Sequence, residues 1–303
     1  MTEYRAGFVC LVGRPNTGKS TLINALVGRK VAITSSKPQT TRHAIRGIVH
    51  RADAQIVLVD TPGLHKPRTL LGQRLNDIVR ATWSEVDAVV LCIPANEPIG
   101  PGDRRIAADI AGLKQAKKFA VVTKTDLVGP AKLAEQLMGV AKLGEHAGIS
   151  FEDIVPLSAV ADDQVELLSE LLIKQLPESP PLYPEGAVTD EPTETMIAEL
   201  IREAALEGVR DELPHSLAVT VEEMGPRSDS ENALMDIHAV VYVERQSQKA
   251  IVLGAGGARM KEVGSTARAA IEELLGRRVY LDLHVKIAKE WQRDPRQLRK
   301  LGF

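Results

Sequence analysis

The sequence predicts an α/β domain with a mostly parallel sheet flanked by helices, followed by a smaller α+β domain. Apolar runs of strand type alternate with helical patterns from Phe8 to Leu157. A proline-rich segment then separates this part from a second set of helices and strands. The length of 303 residues is also sufficient for two domains that each bury a core of their own.

Composition narrows the classes of protein that fit the chain. The net charge is only −2, but residues 190–243 carry 3 basic and 13 acidic side chains, whereas residues 244–303 carry 13 basic and 7 acidic ones. A basic C-terminal end is a candidate nucleic-acid surface, with a solvated charged surface as the simpler alternative. Cys10 and Cys92 lie in apolar runs without disulfide or zinc spacing, which suits a reducing compartment. We find no signal pattern and no apolar run long enough to span a bilayer, so we expect a cytoplasmic protein.

Residues 13–20 form the strongest motif in the chain. They read GRPNTGKS, which has the glycine spacing and the Lys-Ser pair of a phosphate-binding loop. A strand-type run precedes the loop, and a helical pattern that Gly28 can end follows it. The glycines let backbone N–H groups converge on a polyphosphate, while Lys19 can bridge the outer phosphates and Ser20 can bind Mg²⁺. The predicted nucleotide contacts here are Gly13, Arg14, Pro15, Asn16, Thr17, Gly18, Lys19, Ser20 and Thr21.

A long loop follows the first predicted helix, from residue 29 to residue 47, and it is rich in Ser, Thr and Pro. It contains Thr40 and Thr41. A threonine in such a loop can close over the γ-phosphate of a nucleotide and add its hydroxyl to the magnesium shell. We therefore predict that Thr40 and Thr41 bind the nucleotide and that Thr41 is a magnesium ligand.

Two strands are predicted next, over residues 45–49 and 55–59, and the second leads into Asp60-Thr61-Pro62-Gly63. Asp60 lies at the carboxyl end of a strand, where ligands of parallel α/β sheets gather. Its carboxylate can hold the magnesium shell through water, and Gly63 can offer an N–H group to the γ-phosphate. The predicted magnesium set is therefore Ser20, Thr41 and Asp60.

The base-reading element is predicted at Thr123-Lys124-Thr125-Asp126, directly after a strand over residues 119–122. Guanine presents two adjacent donors that a carboxylate can accept, and adenine does not. A buried Asp126 left unpaired would cost about 1–3 kcal/mol or more, which selects guanine. The Lys124 stem can lie over the base. A later strand ends at Ser158-Ala159-Val160, where a backbone N–H can meet guanine O6.

These elements together resemble the nucleotide motifs of the TRAFAC-class GTPases over residues 1–176. Thr123 stands where most members carry Asn, and this change predicts a looser tie between the base-binding strand and the phosphate loop. Leu64 follows Gly63 where Ras-like proteins carry a catalytic glutamine, so the catalytic residue stays unassigned. In several GTPases of this kind an Asn matching Asn16 helps to hold a K⁺ ion. The resemblance therefore implies K⁺ dependence as a hypothesis.

The second half begins after a predicted extended linker over residues 177–192, in which prolines forbid a helix. Residues 193–303 predict a helix (193–209), two strands (216–222 and 236–244), a helix (246–253), a glycine turn, a helix (258–275) and a strand (279–287). This order is the plan of a type II KH domain, in which the turn lets a nucleic-acid backbone approach two helix N-termini. The alternative is a small α+β domain that binds nothing.

The predicted RNA-binding residues are the turn itself and the basic side chains around it. They are Lys249, Gly254, Ala255, Gly256, Gly257, Arg259, Lys261 and Arg268. Many KH loops carry lysine at the two variable positions, where this chain has Ala255 and Gly256. The loop itself is therefore expected to contribute less phosphate affinity.

The motifs, the linker and the KH plan together are similar to a family of bacterial GTPases that join a P-loop NTPase G domain to a type II KH domain. The resemblance implies hydrolysis of GTP to GDP with Mg²⁺, binding near the 3′ end of 16S ribosomal RNA, and a role in assembling the 30S ribosomal subunit. It also implies peripheral association with the inner face of the cell membrane, and we expect a monomer.

Two alternatives to this interpretation stay open at the level of sequence. One is a non-hydrolysing, nucleotide-dependent RNA-binding assembly factor. The other is a P-loop ATP kinase, which differs from a GTPase in base preference.

Overall fold

The computed structural model describes residues 4–34, 45–60, 62, 69–83, 85–207, 216–227 and 234–303. Contacts divide the chain into two compact units, the first formed mainly by residues up to Asp190 and the second mainly by Glu191–Phe303. The predicted domain boundaries, after residues 176 and 192, stay a prediction.

A six-stranded sheet lies at the centre of the first unit. Its strands are β1 (Arg5–Val12), β2 (Ile45–Arg51), β3 (Ala54–Asp60), β4 (Ala88–Pro94), β5 (Lys117–Thr123) and β6 (Ile154–Pro156). They are ordered β2-β3-β1-β4-β5-β6, with β2 antiparallel to β3 and the other neighbours parallel. The carboxyl ends of the parallel strands therefore meet at one edge, where ligands of such sheets bind.

Helices cover both faces of this sheet. They are α1 (Lys19–Val27), α2 (Leu70–Trp83), α3 (Pro101–Ala111), α4 (Pro130–Ala147) and α5 (Val165–Gln175). Side chains of α1 and α5 pack into one apolar core, and side chains of α2, α3 and α4 pack into the other. Gly28 ends α1 in the left-handed conformation with φ 74°, as the sequence predicts.

The proline-rich segment after α5 lies along the first unit as a strap, which we define as residues 177–190. Ser179 N–H donates to the Tyr4 carbonyl at 3.0 Å, and Ile48 N–H of β2 donates to the Val188 carbonyl at 2.9 Å. The buried Gln55 side chain accepts hydrogen bonds from the N–H groups of Leu182 and Tyr183, at 2.8 and 2.9 Å. No helix forms in the segment, as predicted, but it is not extended throughout, because Ala187 N–H donates to the Pro184 carbonyl at 3.2 Å in a turn. It is also fixed to the outer edge of the sheet.

The second unit contains a three-stranded sheet of β7 (Ala218–Pro226), β8 (Met235–Val243) and β9 (Val279–Ile287), in the order β7-β8-β9. β7 is antiparallel to β8, and β9 is parallel to it. Its helices, within the described residues, are α6 (Thr193–Leu206), α7 (Gln246–Leu253), α8 (Ala258–Leu275) and α9 (Pro295–Lys300). The apolar core lies between α6, α8 and the sheet, and it includes Ile197, Ile201, Val263 and Ile271.

The predicted bounds of α7, α8 and β9 are confirmed residue for residue. β7 runs four residues beyond the predicted end at residue 222, because a register shift between Val221 and Glu223 ends the alternating pattern while pairing with β8 continues. The predicted fold class is confirmed in both units. Among the described residues, no helix combines the length and the apolar character needed to cross a bilayer.

Candidate nucleotide-binding and RNA-binding sites

The phosphate loop joins the end of β1 to the start of α1 and encloses a tight backbone curl. A Cβ atom on Gly13 would lie 2.7 Å from the Cys92 carbonyl oxygen and 2.7 Å from the Thr17 hydroxyl. Gly18, directly before α1, has φ 90°, and Asn16 also has a positive φ of 64°. This cradle brings backbone N–H groups and a helix N-terminus to one point, which suits a polyphosphate.

Lys19 is almost completely buried beneath the loop. Its ammonium group donates to the carbonyls of Arg14 at 2.8 Å and Gly13 at 3.1 Å. Burial lowers the pKa of Lys19, and the nearby charge of Asp60 partly offsets this effect. A cation held in this position is placed to neutralise a phosphate that enters the loop.

Ser20 and Asp60 lie side by side at the carboxyl edge of the sheet. The Ser20 hydroxyl donates to the Asp60 carboxylate at 2.7 Å, and Asp60 is fully buried at the end of β3. Hydroxyl and carboxylate oxygens are the hard ligands that Mg²⁺ prefers, so the pair fits the predicted metal. No cluster of three or more His, Cys, Asp or Glu side chains is positioned for a metal in the described part of the chain. Mg²⁺ often completes its shell with phosphate and water in such sites.

The remaining predicted phosphate and metal contacts lie after the phosphate loop. One of them, Pro62, is described by the structure and is buried. Thr40, Thr41, Thr61, Gly63 and Leu64 lie outside the described residues, so their predicted roles stay predictions.

The base-reading element is connected directly to the phosphate loop. The Thr123 hydroxyl, at the end of β5, donates to the Thr17 carbonyl at 2.7 Å, and the contact is buried. The Lys124 ammonium group donates to the Asn16 carbonyl at 2.8 Å. The threonine hydroxyl therefore reaches the loop. The expectation that this tie is looser than one made by Asn stays a prediction.

Asp126 is held by the end of the neighbouring strand. The Ser158 hydroxyl, just after β6, donates to the Asp126 carboxylate at 2.6 Å and accepts from the Ala161 N–H at 3.1 Å. Asp126 is exposed, whereas the sequence argument assumed a buried carboxylate. Water would therefore leave this carboxylate only when a base binds beside it. Val160 is 82% exposed beside this pair. The carboxylate is thus oriented at the same sheet edge as the phosphate loop.

Arg14 differs from the rest of the phosphate loop in the direction of its side chain. Its Nε donates to Asp103 at 2.8 Å, and a terminal nitrogen donates to Glu97 at 3.4 Å. Sequence reasoning missed both acidic residues, because they lie more than 80 positions away on the β4–α3 segment and no local pattern links them to the loop.

The glycine turn of the second unit lies between α7 and α8. Gly254 has φ 71° and ψ 176°, and Gly256 and Gly257 have φ 58° and 80°. A Cβ atom on Gly254 would lie 2.7 Å from the Arg259 Cβ, so this position requires glycine. Ile251 is 53% exposed just before the turn, which leaves an apolar side chain beside the opening.

The basic side chains around the turn fall into two groups. Lys261 and Arg268 are exposed on α8, and Lys249 is half-buried on α7. Arg259 instead donates to the carbonyls of Ala205, at 3.2 Å, and Glu207 at the end of α6. Arg259 therefore fastens the turn to α6, whereas the RNA-binding roles of Lys249, Lys261 and Arg268 stay predictions.

Comparison with known proteins agrees with both halves of this description. A family model described as a 50S ribosome-binding GTPase matches residues 8–124, and a KH domain model matches residues 212–292. GTPase Era of Streptomyces coelicolor is 66% identical over 304 residues, covering 100% of this chain and 96% of that protein. GTPase Era of Mycolicibacterium smegmatis is 62% identical over 305 residues and covers 100% of both chains.

Two solved structures are similar over almost the whole chain. One is Era in complex with MgGDPNP and nucleotides 1506–1542 of 16S ribosomal RNA, with a TM-score of 0.92, 36% identity and 99% coverage of both chains. The other is a single-residue variant of Aquifex aeolicus Era bound to GDP.AlF4-, with a TM-score of 0.92, 35% identity and coverage of 98% of this chain and 99% of that one.

The fold and the sheet-edge site define a P-loop GTPase joined to a C-terminal KH domain. Identity above 60% over the full chain then gives the particular family. The chain belongs to the Era family of GTPases.

Proposed function

We propose that this protein is a GTP-hydrolysing switch that binds 16S ribosomal RNA near its 3′ end and acts in assembly of the 30S subunit. One observation carries the nucleotide part. The phosphate loop and the Asp126 carboxylate lie at the same sheet edge. The Thr123–Thr17 hydrogen bond joins the loop to the end of the strand that leads to Asp126. Magnesium at Ser20 and Asp60 would neutralise the charge that develops on the phosphates.

The choice of the small subunit rests on the relatives over their full length. The family model for residues 8–124 is described by binding to the 50S subunit, but it covers the first unit alone. The Era structure that is similar over 99% of the chain contains a fragment of 16S RNA. The glycine turn with Lys249, Lys261 and Arg268 is the surface that we propose for the RNA.

A calorimetric titration with GDP, GTP and ATP in the presence of Mg²⁺ tests the nucleotide part. We expect saturable binding of guanine nucleotides and no binding of ATP; the reverse preference would favour the kinase alternative. Single-turnover release of phosphate from GTP then separates a GTPase from a factor that holds nucleotide without turning it over.

An RNA corresponding to nucleotides 1506–1542 of 16S RNA, named for the related Era complex, is the probe for the RNA part. We expect tighter binding with a GTP analogue than with GDP, because GTP would bias the protein toward its RNA-binding conformation and hydrolysis to GDP would release it. Equal affinity in both nucleotide states would contradict the switch. A scrambled RNA of equal length is the control for charge-driven binding.

Three further parts of the proposal rest on the family resemblance. Asn16 would help to hold K⁺ during hydrolysis, and equal rates in K⁺ and Na⁺ would remove this role. Peripheral association with the inner membrane face is tested by sedimentation with anionic lipid vesicles. A monomer is tested by light scattering.

A further inference from the structure

A partly buried ion pair joins Arg14 of the phosphate loop to Asp103 of α3, a residue that lies outside the predicted motifs. Asp103 lies in the first turn of α3 and is fully buried, with 0% exposure. One of its carboxylate oxygens accepts from Arg14 Nε at 2.8 Å, and the other accepts from the Gly100 N–H at 2.8 Å. Each carboxylate oxygen therefore has a hydrogen-bond donor, one on the phosphate loop and one at the start of α3.

The surroundings of Arg14 are shaped to receive its side chain. A Cβ atom on Gly102 would lie 2.8 Å from Arg14 Cδ, so the glycine makes room for the arginine stem against α3. Glu97 adds a second, weaker contact at 3.4 Å, and its side chain is 41% exposed. Burial by itself would lower the pKa of Arg14, but the hydrogen bonds and charges of Asp103 and Glu97 outweigh it and raise that pKa. The guanidinium is thus committed to α3.

The backbone carbonyl of Arg14 contacts residues on the nucleotide side of the loop. The Arg14 carbonyl accepts from Lys19 Nζ at 2.8 Å and from the Thr17 hydroxyl at 3.0 Å. Arg14 therefore connects two structures: its side chain holds α3, and its carbonyl holds the lysine and threonine of the phosphate loop.

We propose that Asp103 is a positioning residue that presets the phosphate loop for nucleotide through Arg14. This inference rests on the proposed binding of guanine nucleotides. Because the Arg14 side chain is directed at α3 and not into the cradle, Asp103 acts on the shape of the loop before and after hydrolysis alike. Its loss should weaken GDP and GTP equally, and uniform weakening raises KM while leaving kcat nearly unchanged.

The test uses the full chain and a fluorescent GDP analogue. Asp103→Asn keeps the size of the side chain and one accepting oxygen but removes the charge. We expect dissociation of GDP to be about tenfold faster and KM for GTP to rise about tenfold with little change in kcat, since a charge-assisted hydrogen bond to a buried carboxylate is lost. Glu97→Gln is the matched control, because it removes charge from the exposed partner of the same arginine. It should change both quantities less than about twofold, by the small value of exposed ion pairs.

Arg14→Met and the double variant Arg14→Met/Asp103→Asn make the result independent of any simple loss of stability. If Asp103 acts through Arg14, the double variant should release GDP no faster than the more affected single variant. Multiplicative effects in the double variant would overturn the proposal. So would a wild-type dissociation rate and KM in Asp103→Asn. Failure of the wild-type protein to bind GDP at all would instead contradict the proposed function, and the two failures are therefore distinct.

Discussion

The Thr123 hydroxyl donates a buried hydrogen bond of 2.7 Å to the carbonyl of Thr17. Through this contact the end of β5, which carries the base-reading residues, is joined to the phosphate loop between β1 and α1. Thr123→Val keeps the shape of the side chain but removes the donor. We expect the affinity for GDP to fall about tenfold, since a buried carbonyl loses its partner at a cost of about 1–3 kcal/mol. Calorimetric titration with GDP measures the effect.

Thr123→Ser is the matched control for this prediction, because it keeps the hydroxyl and loses only a methyl group. It should bind GDP within about threefold of the wild type, since the hydrogen bond can still form. Equal affinities for the valine variant and the wild-type protein would show that the tie does not support binding.

Asp126→Asn should change the base preference and leave the fold intact. The carboxamide cannot accept from both guanine donors, whereas xanthine offers an acceptor where guanine has its amino group. We expect the affinity for GDP to fall by at least about 100-fold and xanthosine diphosphate to become the better ligand, because a polar mismatch that the bound base covers discriminates strongly. Competition between the two nucleotides measures the preference, and unchanged GDP binding would refute the role of Asp126.

Ser158→Ala provides the matched test of the group that orients Asp126. The serine hydroxyl lies 2.6 Å from the carboxylate, and its removal leaves the carboxylate chemistry intact. We therefore expect weaker GDP binding than in the wild type but the same preference for guanine over xanthine.

Cys92 should make the stability of the protein depend on pH under alkaline conditions. Burial raises the pKa of this thiol from 9.0 to about 12, opposed in part by the charge of Lys19. The folded protein therefore keeps a proton that the unfolded chain releases above pH 9. The stabilisation is fully present below pH 9 and is lost as the pH rises toward 12. In this range the free energy of unfolding should fall by about 1.4 kcal/mol per pH unit from this group.

Urea unfolding at several pH values between 8 and 11 measures this dependence. Cys92→Ala should show a shallower decline with pH than the wild-type protein. Identical slopes in the wild-type protein and Cys92→Ala would contradict the assignment.

Two of the three glycines in the turn between α7 and α8, Gly254 and Gly256, should differ in the substitutions that they tolerate. Gly254→Ala places a Cβ atom 2.7 Å from Arg259 Cβ, whereas a Cβ atom on Gly256 meets nothing within 4 Å. We expect Gly254→Ala to destabilise the protein by about 1–3 kcal/mol, because its conformation is open to glycine almost alone. Gly256→Ala should cost about 1 kcal/mol, the usual cost of the left-handed region. Thermal unfolding and binding of the 16S RNA fragment measure both, and equal effects would contradict this account of the turn.

The sequence predicts the parts of this fold that depend on local patterns. The phosphate loop, the stop at Gly28 and the bounds of α7, α8 and β9 follow from glycine positions and apolar periodicity within a few residues. Side-chain partners far apart in the chain leave no such pattern. In the sequence, Asp103 is an ordinary acidic residue near the start of a predicted helix. Its hydrogen bond with Arg14 becomes possible only when β1 and β4 pair in the sheet.

Thr123 shows a different limit of sequence reasoning. Comparison with the usual Asn predicts a looser tie to the phosphate loop, but whether the shorter hydroxyl reaches the loop at all depends on a backbone distance that no local pattern encodes. The bulge in β7 is a third case, because it breaks the alternation of side chains while strand pairing continues.

The strap has a consequence for solubility. β2 is the outermost strand of its sheet, and an uncovered outermost strand offers its amide and carbonyl groups to any other extended chain. Val188 occupies the Ile48 amide, and Gln55 secures the strap through Leu182 and Tyr183. A fragment that ends after α5 would leave the edge of β2 exposed and prone to self-association. A fragment that continues to Asp190 would keep the strap over this edge.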